Sequence, residues 1–116
     1  MDMKKTMDIK QLTAEMHQFV SFKGWYQPDS ARPQTPRNLA ISLVLEAAEV
    51  LEHFQWGEDS PDEQALSAEL ADVSLYLLQL ASICGIDLEE AIHAKLEQNY
   101  SRSWDQPNSN PQGGAQ

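Results

Sequence analysis

The chain has 116 residues, one cysteine and a formal net charge of -10. That length supports one hydrophobic core rather than two, the lone Cys84 excludes an internal disulfide framework, and the acidic excess repels nucleic-acid backbones and anionic lipid. No apolar run reads as long enough to span a bilayer, and no apolar segment follows the lysines of MDMKKTMDIK, so the expected setting is a reducing cytoplasm, with neither nucleic acid nor membrane as partner.

Helix punctuation is plain along the chain. Residues 1–7 read as a flexible N-terminus. A first helix is expected over about Asp8 to Lys23, with Ile9, Leu12, Met16, Phe19 and Val20 at helical spacing and Gly24 as its stop. The stretch WYQPDSARPQTP holds three of the six prolines and reads as a loop. Thr35 is the expected N-cap of a second helix with Pro36 in its first turn, running to about Gln55. After WGEDSP, Ser60 and Glu63 form a capping box with Pro61 at the first helical position. The third helix then runs to Cys84 and is closed by Gly85. Asp87 and Glu90 make a box-like start for a fourth helix, to about Arg102. The tail DQPNSNPQGGAQ, residues 105–116, is polar and rich in Pro and Gly, the composition of a disordered segment. No stretch alternates like a strand. The expected fold is all-α, a four-helix bundle-like domain over residues 8–104.

The helix faces carry a conflict. Positions three and four apart share a face. On the second helix Asn38, Ser42, Glu46, Glu49 and His53 fall on one narrow stripe, beside a wide apolar arc that includes Leu39, Leu43, Val44, Val50 and Leu51. Alone, such a pair of acids reads as a solvated face. On the third helix, however, Glu69, Asp72, Tyr76 and Gln79 form a stripe flanked by Leu66, Leu70, Val73 and Leu77. Glu63, Ser67, Ser74 and Ser82 occupy roughly the opposite side, the natural solvent or close-packing face. Glu69 and Asp72 thus avoid the wet side, and a buried carboxylate needs a cation, a donor or a proton. On the fourth helix Leu88, Ala91 and Ile92 define the inward face, which Lys95, Asn99 and Arg102 continue; Glu89, Glu90, His93 and Glu97 lie on the other side.

Two acid pairs, Glu46/Glu49 and Glu69/Asp72, each at i, i+3, would repel one another if they converged. Hard divalent cations resolve that repulsion: Mg²⁺ takes oxygen ligands and bridges protein carboxylates to substrate phosphates. Lys95 and Asn99 would then hold phosphate oxygens. This is a pattern for phosphoryl chemistry without a glycine-rich loop, and the chain has no such loop.

EAAE at 46–49 followed by ELAD at 69–72 resembles the ExxE…ExxD pattern of the MazG-like, all-α nucleotide pyrophosphohydrolases. PRNLAISL (36–43), EHFQW (52–56), ADVSLYLL (71–78) and KLEQN (95–99) extend the resemblance to about residues 8–104, within the short single-domain branch that includes the dCTP pyrophosphatases. The resemblance implies a helical fold assembled as a homodimer or a homotetramer. It implies cleavage of nucleoside triphosphates, with pyrimidine deoxynucleotides such as dCTP as the expected substrates, to monophosphate and pyrophosphate, using Mg²⁺ or, in its place, Mn²⁺. It implies Glu46, Glu49, Glu69 and Asp72 as metal ligands and catalytic groups, one glutamate also activating water. Lys95 and Asn99 become phosphate contacts, and Asn38, Trp56, Tyr76 and Trp25 the base and sugar pocket. The chain departs from the branch in one place. There a Trp precedes the PRNL-like element closely, often through a Phe-His pair; here YQPDSARPQT, longer and without that His, separates Trp25 from PRNL.

Self-association has a second support, since the apolar arc of the second helix is wider than one neighbour needs. Two other readings stand beside the enzyme. A di-iron four-helix protein wants ExxH on two helices, and only Glu90-x-x-His93 fits, on an outward face. A non-catalytic helical interaction or nucleotide-binding module would treat the acids as a solvated groove. It would show no dependence on divalent ions.

Overall fold

The computed structural model describes residues 6–57 and 62–102. Four helices follow in order: α1 (Ile9–Phe22), α2 (Pro36–Glu52), α3 (Glu63–Ile83) and α4 (Leu88–Tyr100). No strand occurs among the described residues. The all-α expectation therefore holds, and each helix begins where side-chain chemistry satisfies its free N–H groups.

Asp8 and Gln11 form a reciprocal capping box at α1. Thr35 caps α2 and Pro36 occupies its first turn, as expected. Asp87 accepts from the Glu90 N–H to start α4. The third start differs: Asp62 caps α3 through the Gln64 N–H at 2.9 Å. The expected Ser60 and Pro61 signals lie outside the described residues, as do the tail and most of the N-terminal segment. Helix α2 also ends three residues short of the expected Gln55. Its last N–H groups tighten to i→i+3 bonds, Phe54 to Leu51 and Gln55 to Glu52, ahead of Gly57 at φ 152. Gly24 and Gly85, at φ 78 and 74, close α1 and α3 with paired bonds, the following residue reaching back to Val20 and Ala81. Their left-handed backbone is the reason a glycine stands at each.

Helix α3 is the centre. It packs most extensively on α2, then on α1, and touches α4 least. The small core of Met16, Val20 and Leu78 joins α1 to α3, with Ile9, Trp25, Tyr26 and Leu88 packed around it. Leu39 on α2 is the most deeply buried large side chain. The α4 expectation needs correction: Leu88 and Asn99 are partly covered, but Ala91, Ile92 and Lys95 of the presumed inward face are exposed in the single chain. Helix α3 corrects a second expectation. It is long and apolar enough by composition to cross a membrane, with a mean hydropathy of 1.3 over its best window. A helix apolar on most sides is one that is covered on most sides. Here α2 and α1 cover part of it, while Leu70, Leu75 and Leu77 stay open.

Candidate functional site

The extensive α2–α3 packing decides where the acids go. One carboxylate oxygen from each of Glu46, Glu49 and Glu69 lies within 4.8 Å of the others. Glu46 and Glu69 are half-buried and Glu49 is exposed. The hydrogen bond to Glu69, then burial, then the charges of Glu69 and Asp72 raise the Glu46 carboxyl above its ordinary value. Glu69 Oε2 is buried with no hydrogen-bond partner, while Glu69 Oε1 stands 3.6 Å from His53 Nε2. An orphaned carboxylate oxygen among like charges is costly without a cation. The donor set, all carboxylate oxygen, suits a hard divalent ion. Asp72, one turn beyond Glu69, is exposed and outside the tight group, yet near enough to act on Glu46.

Next to the acids a cleft of ≈ 590 Å³ opens between α1, the loop before α2, the start of α2 and α3. That is the size range of small-molecule sites. Asp72, Tyr76, Asn38 and Trp25 line it, so four of the expected residues share one wall system. Trp25 serves both as core cap and as cleft wall. It packs on the core, meets Phe19 edge to face at 5.7 Å, and carries the Arg32 guanidinium 4.7 Å over its ring. Asn38 Nδ2 donates to the Pro33 carbonyl at 3.1 Å and so ties the loop to α2.

Three expected residues join neither the acidic group nor the cleft. Trp56 is 91% exposed beyond the end of α2. Lys95 is exposed and donates to Gln98 on its own helix at 3.3 Å. Asn99 is half-buried, its Oδ1 covered and without a partner, and it does not line the cleft. Other residues enter that the sequence reading passed over. His53 falls on the acid stripe of α2, where the sequence gives it no role; its i+4 spacing from Glu49 is the available signal. Arg32 and Gln34 belong to a segment whose sequence signals only a loop, and Gln79 on α3 is buried at 3% exposure against the cleft. Nothing in the local sequence pairs Gln34 with Gln79, 45 positions away. The outward Glu90 and His93 take no part in the acidic group, and His93 pairs with Glu97 in solvent at 3.4 Å.

The family model described as MazG-like matches residues 41–110. The chain belongs to the MazG-like family. This MazG-like chain is 38% identical to dCTP pyrophosphatase 1 of Mus musculus over 104 residues, covering 82% of this chain and 56% of that protein. It therefore spans little more than half the length of the curated relatives it matches at length. Over 36 residues it is 53% identical to the dATP/dGTP diphosphohydrolase of Cyanophage S-2L, covering 31% of this chain and 34% of that one. The crystal structure of a pyrophosphatase from Archaeoglobus fulgidus superposes with a TM-score of 0.64 at 32% identity, covering 85% of this chain and 94% of that chain.

Proposed function

We propose that this MazG-like chain is a divalent-metal-dependent nucleoside triphosphate pyrophosphohydrolase acting on pyrimidine deoxynucleotides, dCTP or its analogues. The observation that carries the reading is the convergence of Glu46, Glu49 and Glu69 around an orphaned carboxylate oxygen, at the edge of a nucleotide-sized cleft. The relatives named for dCTP and for dATP or dGTP support deoxynucleoside triphosphate hydrolysis, and those named for dCTP support the pyrimidine choice.

In this reading Glu46, Glu49, Glu69 and Asp72 hold Mg²⁺, with Mn²⁺ as a substitute. Bound there, the ion supplies Lewis acidity toward phosphate oxygens. The chain's own groups do the rest. A glutamate of the cluster orients water toward the α-phosphorus and takes its proton. The bond from the α-phosphorus to the bridging oxygen breaks, and pyrophosphate leaves with the electron pair. Trp25, Tyr76 and Asn38 hold base and sugar. Lys95 and Asn99 are assigned to phosphate, and Trp56 to the nucleotide, by motif resemblance.

The apolar side chains left open on α2, Ile41, Val44, Leu45 and Leu51, together with those on α3, support self-association as a homodimer or homotetramer. Removal of unwanted nucleotides from a cytoplasmic pool is the role that fits such a reaction. Product analysis tests the reading: purified protein, a panel of nucleoside triphosphates, with Mg²⁺ and with chelator. Monophosphate plus pyrophosphate, appearing only with metal, is expected. Absence of product on every nucleotide, or release of orthophosphate instead, overturns it.

A further inference from the structure

The cleft end opposite the acids holds a hydrogen-bonded chain whose directions can be read from its fixed end. The Arg32 backbone carbonyl can only accept. Gln34 Nε2 donates to it at 2.6 Å, so Gln34 must turn its Oε1 the other way. That oxygen accepts from Gln79 Nε2 at 2.8 Å. The same Nε2 reaches the Tyr26 hydroxyl at 3.2 Å. With both protons of its amide nitrogen committed, Gln79 is left with one free group, its side-chain carbonyl. Gln79 is 3% exposed, belongs to the cleft wall, and its Oε1 has no hydrogen bond to any described residue.

The chain continues consistently on the far side. Tyr26 accepts from Gln79, so its own proton goes to His17 Nδ1 at 2.6 Å. His17 Nε2–H in turn donates to Ser82 Oγ at 2.7 Å. Rotating the Gln79 amide by half a turn would set its Oε1 against Gln34 Oε1, two acceptors facing with no proton between them. The orientation is thus held from the Arg32 carbonyl, through the segment that separates Trp25 from the PRNL element.

We propose that Gln79 selects the base: its oriented carbonyl accepts from the exocyclic amino group of a base such as cytosine and rejects the keto edge of uracil. Glu69, Asp72, Tyr76 and Gln79 fall on one stripe of α3, with Gln79 seven residues beyond Asp72, or about 10 Å of helix rise. That separation places a base-reading group at the far end of a nucleotide whose phosphates lie at the acids. A keto oxygen in place of the amino group would face the Gln79 oxygen without a proton, leaving two desolvated acceptors unpaired. Gln34 acts through Gln79 and is a positioning residue. The assignment rests on the pyrophosphohydrolase reading for its substrate, although not for its recognition chemistry.

The test compares dCTP with dUTP, which differ at that edge, as a ratio of kcat/KM with Mg²⁺. The native protein is expected to prefer dCTP, and Gln79→Met to lower that preference at least about tenfold. Gln34→Met is expected to lower it similarly by freeing the Gln79 amide. A role in stability alone would lower both substrates together and leave the ratio unmoved. Turnover with equal efficiency on dCTP and dUTP, or a preference unchanged in both methionine variants, overturns the inference and leaves the enzyme reading standing. Without turnover, calorimetric titration of dCMP and dUMP reads the same preference: selection lost in Gln79→Met supports the inference while the enzyme reading falls, and no binding of either overturns both.

Discussion

Two ends of one stripe on α3 are built in opposite ways. Around Glu69 the polar groups are short of partners: one oxygen from each of three carboxylates lies within 4.8 Å of the others, one oxygen is orphaned, and the Glu46 carboxyl is raised above its ordinary value by Glu69. Around Gln79 the hydrogen bonds run unbroken from the Arg32 carbonyl to the Ser82 hydroxyl, with both Gln79 amide protons, the Tyr26 hydroxyl proton and the His17 Nε2–H each given an acceptor. The contrast separates two uses of buried polarity. On the proposed reading, the cluster left in conflict would lower its energy by taking up an ion, with its affinity stored in the free protein. A satisfied chain gains nothing from rearranging and therefore holds a group in one orientation, which is what discrimination needs.

The most forceful way to break this contrast is to remove the conflict. Glu49→Ala and Asp72→Ala are expected to retain the helical circular-dichroism spectrum and to lose turnover by on the order of 10³-fold or more, since a charge-stabilising metal site contributes several kcal/mol to the barrier. Retained turnover in both would remove the metal-site assignment. The same conflict predicts a thermal shift. Chelated protein should melt at a lower temperature than protein in excess Mg²⁺, by about 2.7 kcal/mol of stability at a hundred times the dissociation constant, and Glu69→Gln should abolish the difference. His53 sharpens the picture. It stands 3.6 Å from Glu69 Oε1, so His53→Ala should weaken Mg²⁺ binding by roughly tenfold, measured by titration, without removing it.

The open apolar face offers an intermediate effect. Val44→Glu places a charge on a side chain 65% exposed in the single chain. Sedimentation should show dissociation into smaller species with a dissociation constant raised tenfold or more, about 1.4 kcal/mol. An unchanged sedimentation profile would mean that this face does not mediate assembly.

The smallest effect belongs to the satisfied end. Burial lifts the Tyr26 phenol above its ordinary value of 10.0, against the lowering effect of its bond from Gln79. In the unfolded chain Tyr26 ionises near that ordinary value, while the folded protein keeps the proton to higher pH. Between the two values the unfolded state binds fewer protons, so stability falls as pH rises past 10. Tyr26→Phe should remove that part of the alkaline slope in denaturant titrations, at a cost of about 1 kcal/mol at neutral pH for the lost hydrogen bond.

Much of this molecule is local in origin, and local chemistry is legible in order along the chain. Asp8, Thr35 and Asp87 announce helix starts because a side-chain oxygen next to free N–H groups acts within three residues. Gly24 and Gly85 announce helix ends because only a residue without Cβ adopts the left-handed backbone cheaply. The spacing of Glu46 with Glu49, and of Glu69 with Asp72, assigns each pair to one helix face by geometry alone. The end of α2 falls three residues before the expected Gln55 because the change from i→i+4 to i→i+3 bonding carries no residue signature at Phe54 or Gln55.

What the sequence by itself determined, then, is the set of helices, their capped starts and the faces on which the acids lie, since each depends on neighbours within a few positions. The tertiary structure alone decided that α2 and α3 close the two acid pairs toward each other, that Lys95 and Trp56 stay outside the cleft of the single chain, and that a loop residue, Gln34, orients Gln79 from 45 positions away. Those outcomes depend on which helix faces pack and on the direction of each hydrogen bond. Neither is a property of any short stretch of residues.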